Sequence, residues 1–219
     1  MPSYGSFSSA EVMETAVKNE DLFAIIDLLN QGIKPTKHEF VNAVEQKSYS
    51  ILELFLDDGY ELNEPLRDDY PPPLAVAISD PSLTKWLLQR GADPNARCRF
   101  DITPLSIAAQ EASLKVIEIL MEFGASTSYG QPLHYAVRYD RPDNIIQYLI
   151  HAGALVNQLM FQTHLPSFYH FKHLGLGTPL HEAAHQKSKR IIRLLLRNGA
   201  DPNIADTLGL LPLNGGLLL

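Results

Sequence analysis

Thr178-Pro179-Leu180-His181-Glu182-Ala183-Ala184, followed by Gly199-Ala200-Asp201-Pro202-Asn203, decides the fold of this chain, because both phrases occur twice. The first returns as Thr103-Pro104-Leu105-Ser106-Ile107-Ala108-Ala109 and the second as Gly91-Ala92-Asp93-Pro94-Asn95. Thr103 precedes Gly124 by the same 21 residues that separate Thr178 from Gly199. A long pattern kept in register at a fixed offset is an internal repeat.

Glycines that play the same part are Gly32, Gly59, Gly91, Gly124, Gly153 and Gly199, separated by 27, 32, 33, 29 and 46 residues. Each unit reads alike. A turn opens a short helix with Pro near its first position, where the missing N–H costs nothing. Two small residues follow, such as Ala108-Ala109, Ala136-Val137 and Ala183-Ala184, so neighbouring helices can approach. A second helix carries apolar pairs at helical spacing, as in Val116-Ile117 with Ile119-Leu120 and Ile191-Ile192 with Leu195-Leu196. Glycine then ends it in a left-handed conformation.

These residues resemble the ankyrin repeat. The resemblance is specific for residues 72–127 and 178–203 and rests on pattern alone before residue 64. It implies an all-α solenoid of helix-turn-helix units with short β-turn fingers. The units run over 11–35, 38–63, 72–96, 103–127, 131–157 and 178–203, with a partial one at 206–214. The third lacks two residues between Ile78 and Leu83, and the fifth has one extra near Arg141-Pro142-Asp143. Residues 1–10 read as an N-terminal tail and 215–219 as an apolar C-terminal tail. One unit alone cannot bury both faces of its helices, so stability has to come from stacking.

The totals narrow the function. Of 219 residues, 45% are hydrophobic and 20% charged, as in a soluble folded protein. A net charge of -7 repels phosphate backbones, which makes direct nucleic-acid binding a poor expectation. A single cysteine, Cys98, excludes an internal disulfide and fits a reducing compartment. No apolar run approaches 18 residues, so no membrane span is expected, and no secretory signal is visible. An intracellular location, cytoplasmic or nuclear, is the expectation.

The resemblance implies partner proteins held by the fingers and by the inner face of the first helices. On this chain the finger tips are Asp68, Asp69 and Tyr70, then Arg99, Phe100 and Ile102, then Tyr129. The inner-face positions are Gln110 and Glu111, Arg138 and Tyr139, and His185 and Gln186. Aromatic residues and arginine are what a contact hot spot uses. Twenty residues, 158–177, stand between Asn157 and Thr178, where seven separate Asn95 from Thr103. The excess is rich in apolar and aromatic residues, including Phe161, Phe168, Tyr169 and Phe171, and is no flexible linker. Two readings stand: a partner-contacting lid on the concave side, or an enlarged finger packed on its own repeat.

His181-Glu182-Ala183-Ala184-His185 matches the zinc-protease pattern H-E-x-x-H. It is also the middle of the repeat phrase, and no third ligand is indicated. His164, His170 and His173 lie in the insertion without a nearby cysteine or carboxylate. No metal, no cofactor and no catalysis is therefore expected. Lys187, Lys189, Arg190, Arg193 and Arg197 form a basic cluster, read as a solvated helix face or a patch for nuclear import or an acidic partner. In the family, asparagines at the positions of Asn95 and Asn203 brace the finger. Leu208 to Leu219 offers no polar end face, and three explanations fit: a shortened chain, an irregular cap, or a self-association surface. The function expected is an interaction scaffold, with a regulator of a transcription factor as the alternative.

Overall fold

A computed structural model describes residues 9–213. Of the apolar stretch Leu208 to Leu219, for which self-association was one of three readings, residues 214–219 lie outside the described residues. Within them are twelve α-helices and no strand. Five regular pairs are α1 (Ser9–Lys18) with α2 (Leu22–Asn30), α3 (Lys37–Glu45) with α4 (Tyr49–Asp57), α6 (Pro104–Glu111) with α7 (Leu114–Glu122), α8 (Pro132–Arg138) with α9 (Asp143–His151), and α11 (Pro179–His185) with α12 (Lys189–Arg197). Helix α5 (Pro81–Gln89) has no α-helical mate, and α10 (Leu165–Phe171) lies in the insertion.

The chain departs from the uniform reading in the third unit. Its first helix is two 3-10 turns, Pro73–Ala75 and Ala77–Ser79. Pro71, Pro72 and Pro73 supply no N–H at its start. The two missing residues remove its last turn before Asp80 caps α5 through Ser82 and Leu83.

Helix starts follow the repeat phrase. Thr103 accepts the N–H of Ser106 at 3.1 Å, and Pro104 takes the first helical position. The small pairs Ala108-Ala109, Ala136-Val137 and Ala183-Ala184 are buried where first helices meet in a row, α6 on α8 and α8 on α11. One apolar core runs from Met13 to Ala200 through every unit. Gly199 ends α12 at φ +86 with nothing near an added Cβ, so glycine there answers backbone conformation, not space.

Two hydrogen-bond ladders tie the units. Asn63 Nδ2 donates to Gly91 O, and Asn63 Oδ1 accepts the N–H of Asp93. Asn95 does the same to Gly124 and Ser126, and Asn157 to Gly199 and Asp201. Asn203 departs from the bracing expected of it. Its backbone N–H and its side-chain amide both donate to Asp201 of its own turn, and among the described residues no later helix pair offers a helix-ending glycine to bridge to. In the second ladder, Ser106 donates to Gly130 O at 2.5 Å. His134 Nε2 meets Gly177 O at 3.2 Å, and His181 Nε2 meets Leu210 O at 3.0 Å. Residues 206–213 therefore dock in repeat register without forming a helix.

Candidate functional site

The insertion is folded. His164 caps α10 by accepting the N–H of Ser167 at its Nδ1, and a 3-10 turn, Lys172–Leu174, follows. Met160, Phe161 and Leu176 form a small core of their own, with Phe168 and Phe171 packed on it. Both ends are pinned. The Met160 N–H donates to Gly177 O at 2.9 Å. Thr207 Oγ1 accepts the N–H of Leu176 and donates to Lys172 O. Gly177 admits no side chain, since a Cβ there would lie 2.4 Å from the His181 ring.

The insertion reaches back over an earlier finger. The Phe100 ring lies 5.4 Å from Phe171 and 5.6 Å from His170. Phe171 in turn lies 5.5 Å from Phe161. An open groove of about 1240 Å³ results. The inner faces of α8 and α11 form its floor, through Tyr135, Arg138, Glu182 and His185. The insertion lines one side with Phe161, Phe171 and Leu174; Phe100 and Ile102 come from the finger. The last turn closes it with Leu208 and Leu210. Leu174 is 65% exposed, Leu208 58% and Leu210 56%.

One charged pair sits on the floor. Arg138 donates to both Glu182 oxygens, at 3.1 and 2.6 Å, and this bond holds its guanidinium above its ordinary pKa. A third donor contact goes to Met160 Sδ at 3.3 Å. Burial pushes Tyr135 up to about 12 and His134, beneath the floor, down to about 4. Both therefore stay neutral near pH 7.

Of the H-E-x-x-H residues, His181 is committed to the fold, Glu182 is paired with Arg138, and His185 is exposed in the groove. His181 Nδ1 accepts the Thr178 N–H at 3.0 Å, while Nε2 serves Leu210. Among the described residues no three His, Cys, Asp or Glu side chains converge as metal ligands. His164 is a cap, and His170 packs edge-on against Phe171.

Of the residues singled out from sequence, Phe100, Arg138, Phe161, Phe171 and His185 meet in the groove. Phe161 is 6% exposed, so it supports the wall more than it offers surface. Asp69, Ile102 and Gln186 line the groove as well, and the remaining ones lie elsewhere. Tyr70 is half-buried in a finger where it bridges to Arg67, and Arg99 pairs with Asp68. Tyr129 stacks under Arg97, Tyr139 is exposed past α8, and Phe168 packs inward. Tyr169 is exposed beside Lys172. Leu174 and Glu182 were not singled out as contact residues, whereas Leu208 and Leu210 belong to the apolar stretch read as a shortened chain, an irregular cap or a self-association surface. The signals of Leu174 and Glu182 were a leucine next to Gly175 in the insertion and a glutamate hidden inside the repeat phrase.

Known proteins share this architecture. Residues 73–160 match the family model for ankyrin repeats in three copies, and residues 177–207 match that for a single ankyrin repeat. The matches take in more than half of the chain and leave the body of the insertion between them. The chain is 34% identical over 194 residues to putative ankyrin repeat protein FPV018 of Fowlpox virus (strain NVSL), across 79% of this chain and 27% of that one. It is 30% identical to ankyrin repeat protein nuc-2 of Neurospora crassa, across 55% and 10%. With putative ankyrin repeat protein FPV230 of Fowlpox virus (strain NVSL) it shares 27% identity, across 75% and 84%. It thus spans about a quarter of FPV018 and a tenth of nuc-2. Among the described residues no helix is long and apolar enough to cross a membrane. By its repeats, its helix pairs and these matches, the chain belongs to the ankyrin repeat family, a generally non-catalytic module of protein–protein interaction.

Proposed function

We propose that this chain is an adaptor that holds a segment of a partner protein in the groove between the insertion, α8, α11 and the last turn. The carrying observation is the set Leu174, Leu208 and Leu210, each more than half exposed and all on one concave rim. Leucines left in water around a groove mark a contact surface. The Arg138–Glu182 pair on the floor adds direction, because a partly desolvated charge pair rejects an ill-matched occupant.

The test is affinity capture from native lysate with the full chain, with Leu208→Glu/Leu210→Glu, and with Tyr129→Glu at a finger tip outside the groove. A partner held by the full chain and Tyr129→Glu, and lost by the double variant, supports the groove. Equal capture by all three sinks it.

A further inference from the structure

The groove has two parts of different chemistry. Where the finger, the insertion and the last turn meet, its lining is apolar, with Phe100, Phe171, Leu208 and Leu210. The other part is built by the ends of the first helices. Arg138 is the last residue of α8 and His185 the last of α11. Both helices open on a proline, Pro132 and Pro179, so Arg138 and His185 hold the same position in neighbouring repeats. Packed helices lie about 8–10 Å apart, so these two side chains flank one space. Lys187, in the turn after α11, is exposed and lines the groove too.

Hydrogen bonding separates the charged groups of this lining into two sets. Its three carboxylates are already engaged. Asp69 accepts from Arg67, Glu182 from Arg138, and Asp206 from the N–H groups of Leu208 and Leu210. The cationic groups have donors left over. Arg138 uses Nε and Nη2 on Glu182 and Met160, so Nη1 has no acceptor among the described residues, and its side chain is 40% exposed. The His185 ring is exposed, and neither it nor the Lys187 ammonium has a hydrogen bond or ion pair among the described residues. In the preceding repeat the place of Lys187 belongs to Asp140, in the same left-handed turn, and that carboxylate is held by Arg190.

We infer that the groove takes a partner segment in which an aspartate or glutamate stands beside apolar side chains. The carboxylate lies between Arg138 Nη1, His185 and Lys187, and the apolar side chains lie over Leu208 and Leu210. A carboxylate supplies acceptors where the groove offers only donors, which is the complementarity that selects a partner. This rests on the adaptor reading and names the chemistry of its partner.

Selection of random peptides displayed on phage, with the full chain as bait, tests this. The selected peptides are expected to carry Asp or Glu near Leu, Ile or Phe. The strongest one is then made as a fluorescent peptide, with its acidic residue intact, as the amide, and as lysine, and binding is read by anisotropy. The amide form is expected to bind the parent chain about tenfold more weakly, the loss of a charge-assisted contact. The variant His185→Glu/Lys187→Glu should reverse the order and prefer the lysine form. Both changes are at exposed positions, and circular dichroism melts check that the variant folds. Apolar peptides without an acidic preference, or an amide that binds as well as the acid, overturn this inference and leave the adaptor reading standing. Peptides held equally by Leu208→Glu/Leu210→Glu lie outside the groove and overturn both. A selection that enriches no peptide overturns this inference, and affinity capture still decides the adaptor reading.

Discussion

The Asn157 side-chain amide donates to the carbonyl of Gly199 at 2.9 Å, across 42 residues, where Asn95 makes the same bond to Gly124 across 29. The insertion therefore leaves the stack and returns to it without changing how neighbouring units meet. Asn157 also accepts the Asp201 N–H at 2.8 Å. Asn157→Ala removes both bonds at a solvated site and is expected to cost about 1 kcal/mol. Asn203→Ala touches only its own turn, with an expected effect within about 0.5 kcal/mol. Urea denaturation of the two variants checks the difference.

The same relationship predicts that the insertion is dispensable for the stack. Replacing residues 158–177 by the seven-residue finger 96–102 should keep one cooperative transition and the helical circular dichroism signal. It should abolish partner capture, because one side of the groove is gone. Loss of helicity would mean that the insertion holds α8 and α11 together.

His134 gives a pH dependence with a definite sign. Burial lowers its pKa from 6.5 to about 4. Between those values the unfolded chain binds a proton that the folded chain refuses. Stability from this residue is full above about pH 6.5 and is lost as pH falls toward about 4, by about 3 kcal/mol in total. Thermal melts across that window should show the loss in the parent chain and a shallower one in His134→Gln.

Arg138→Ala strands the Glu182 carboxylate, whose side chain is 19% exposed, and removes the contact to Met160 Sδ. The expected cost is about 1–2 kcal/mol, above that of a surface pair because one partner is largely desolvated. Glu182→Gln, which keeps a hydrogen-bonding oxygen, should cost less. Chemical denaturation of both variants distinguishes them.

His181→Ala separates a structural histidine from a metal ligand. It loses the bonds to Thr178 and Leu210, so amide exchange at Leu208 and Leu210 should quicken while the rest of the stack stays protected. A chelator should leave the melting temperature of the parent chain unchanged. A drop on chelation would overturn the structural role.

The repeat, the helix pairs, the proline starts and the glycine ends were all legible in the residues, because each depends on side chains within one turn or one 3.6-residue period. Thr103 with Ser106, and Gly199 after Leu196, are contacts of that range. The third unit escaped that reading since a two-residue loss and a proline run outweigh a good apolar pattern. The groove was only partly legible. Phe100 and Phe171 belong to different units, Arg138 and Glu182 are 44 residues apart, and Leu210 is set in the site by His181 on its carbonyl together with the Thr207 bonds to the insertion. Local periodicity has no information about which surfaces an insertion without a repeat template will lie against. That is decided by apolar contacts and hydrogen bonds that exist only after the units have stacked.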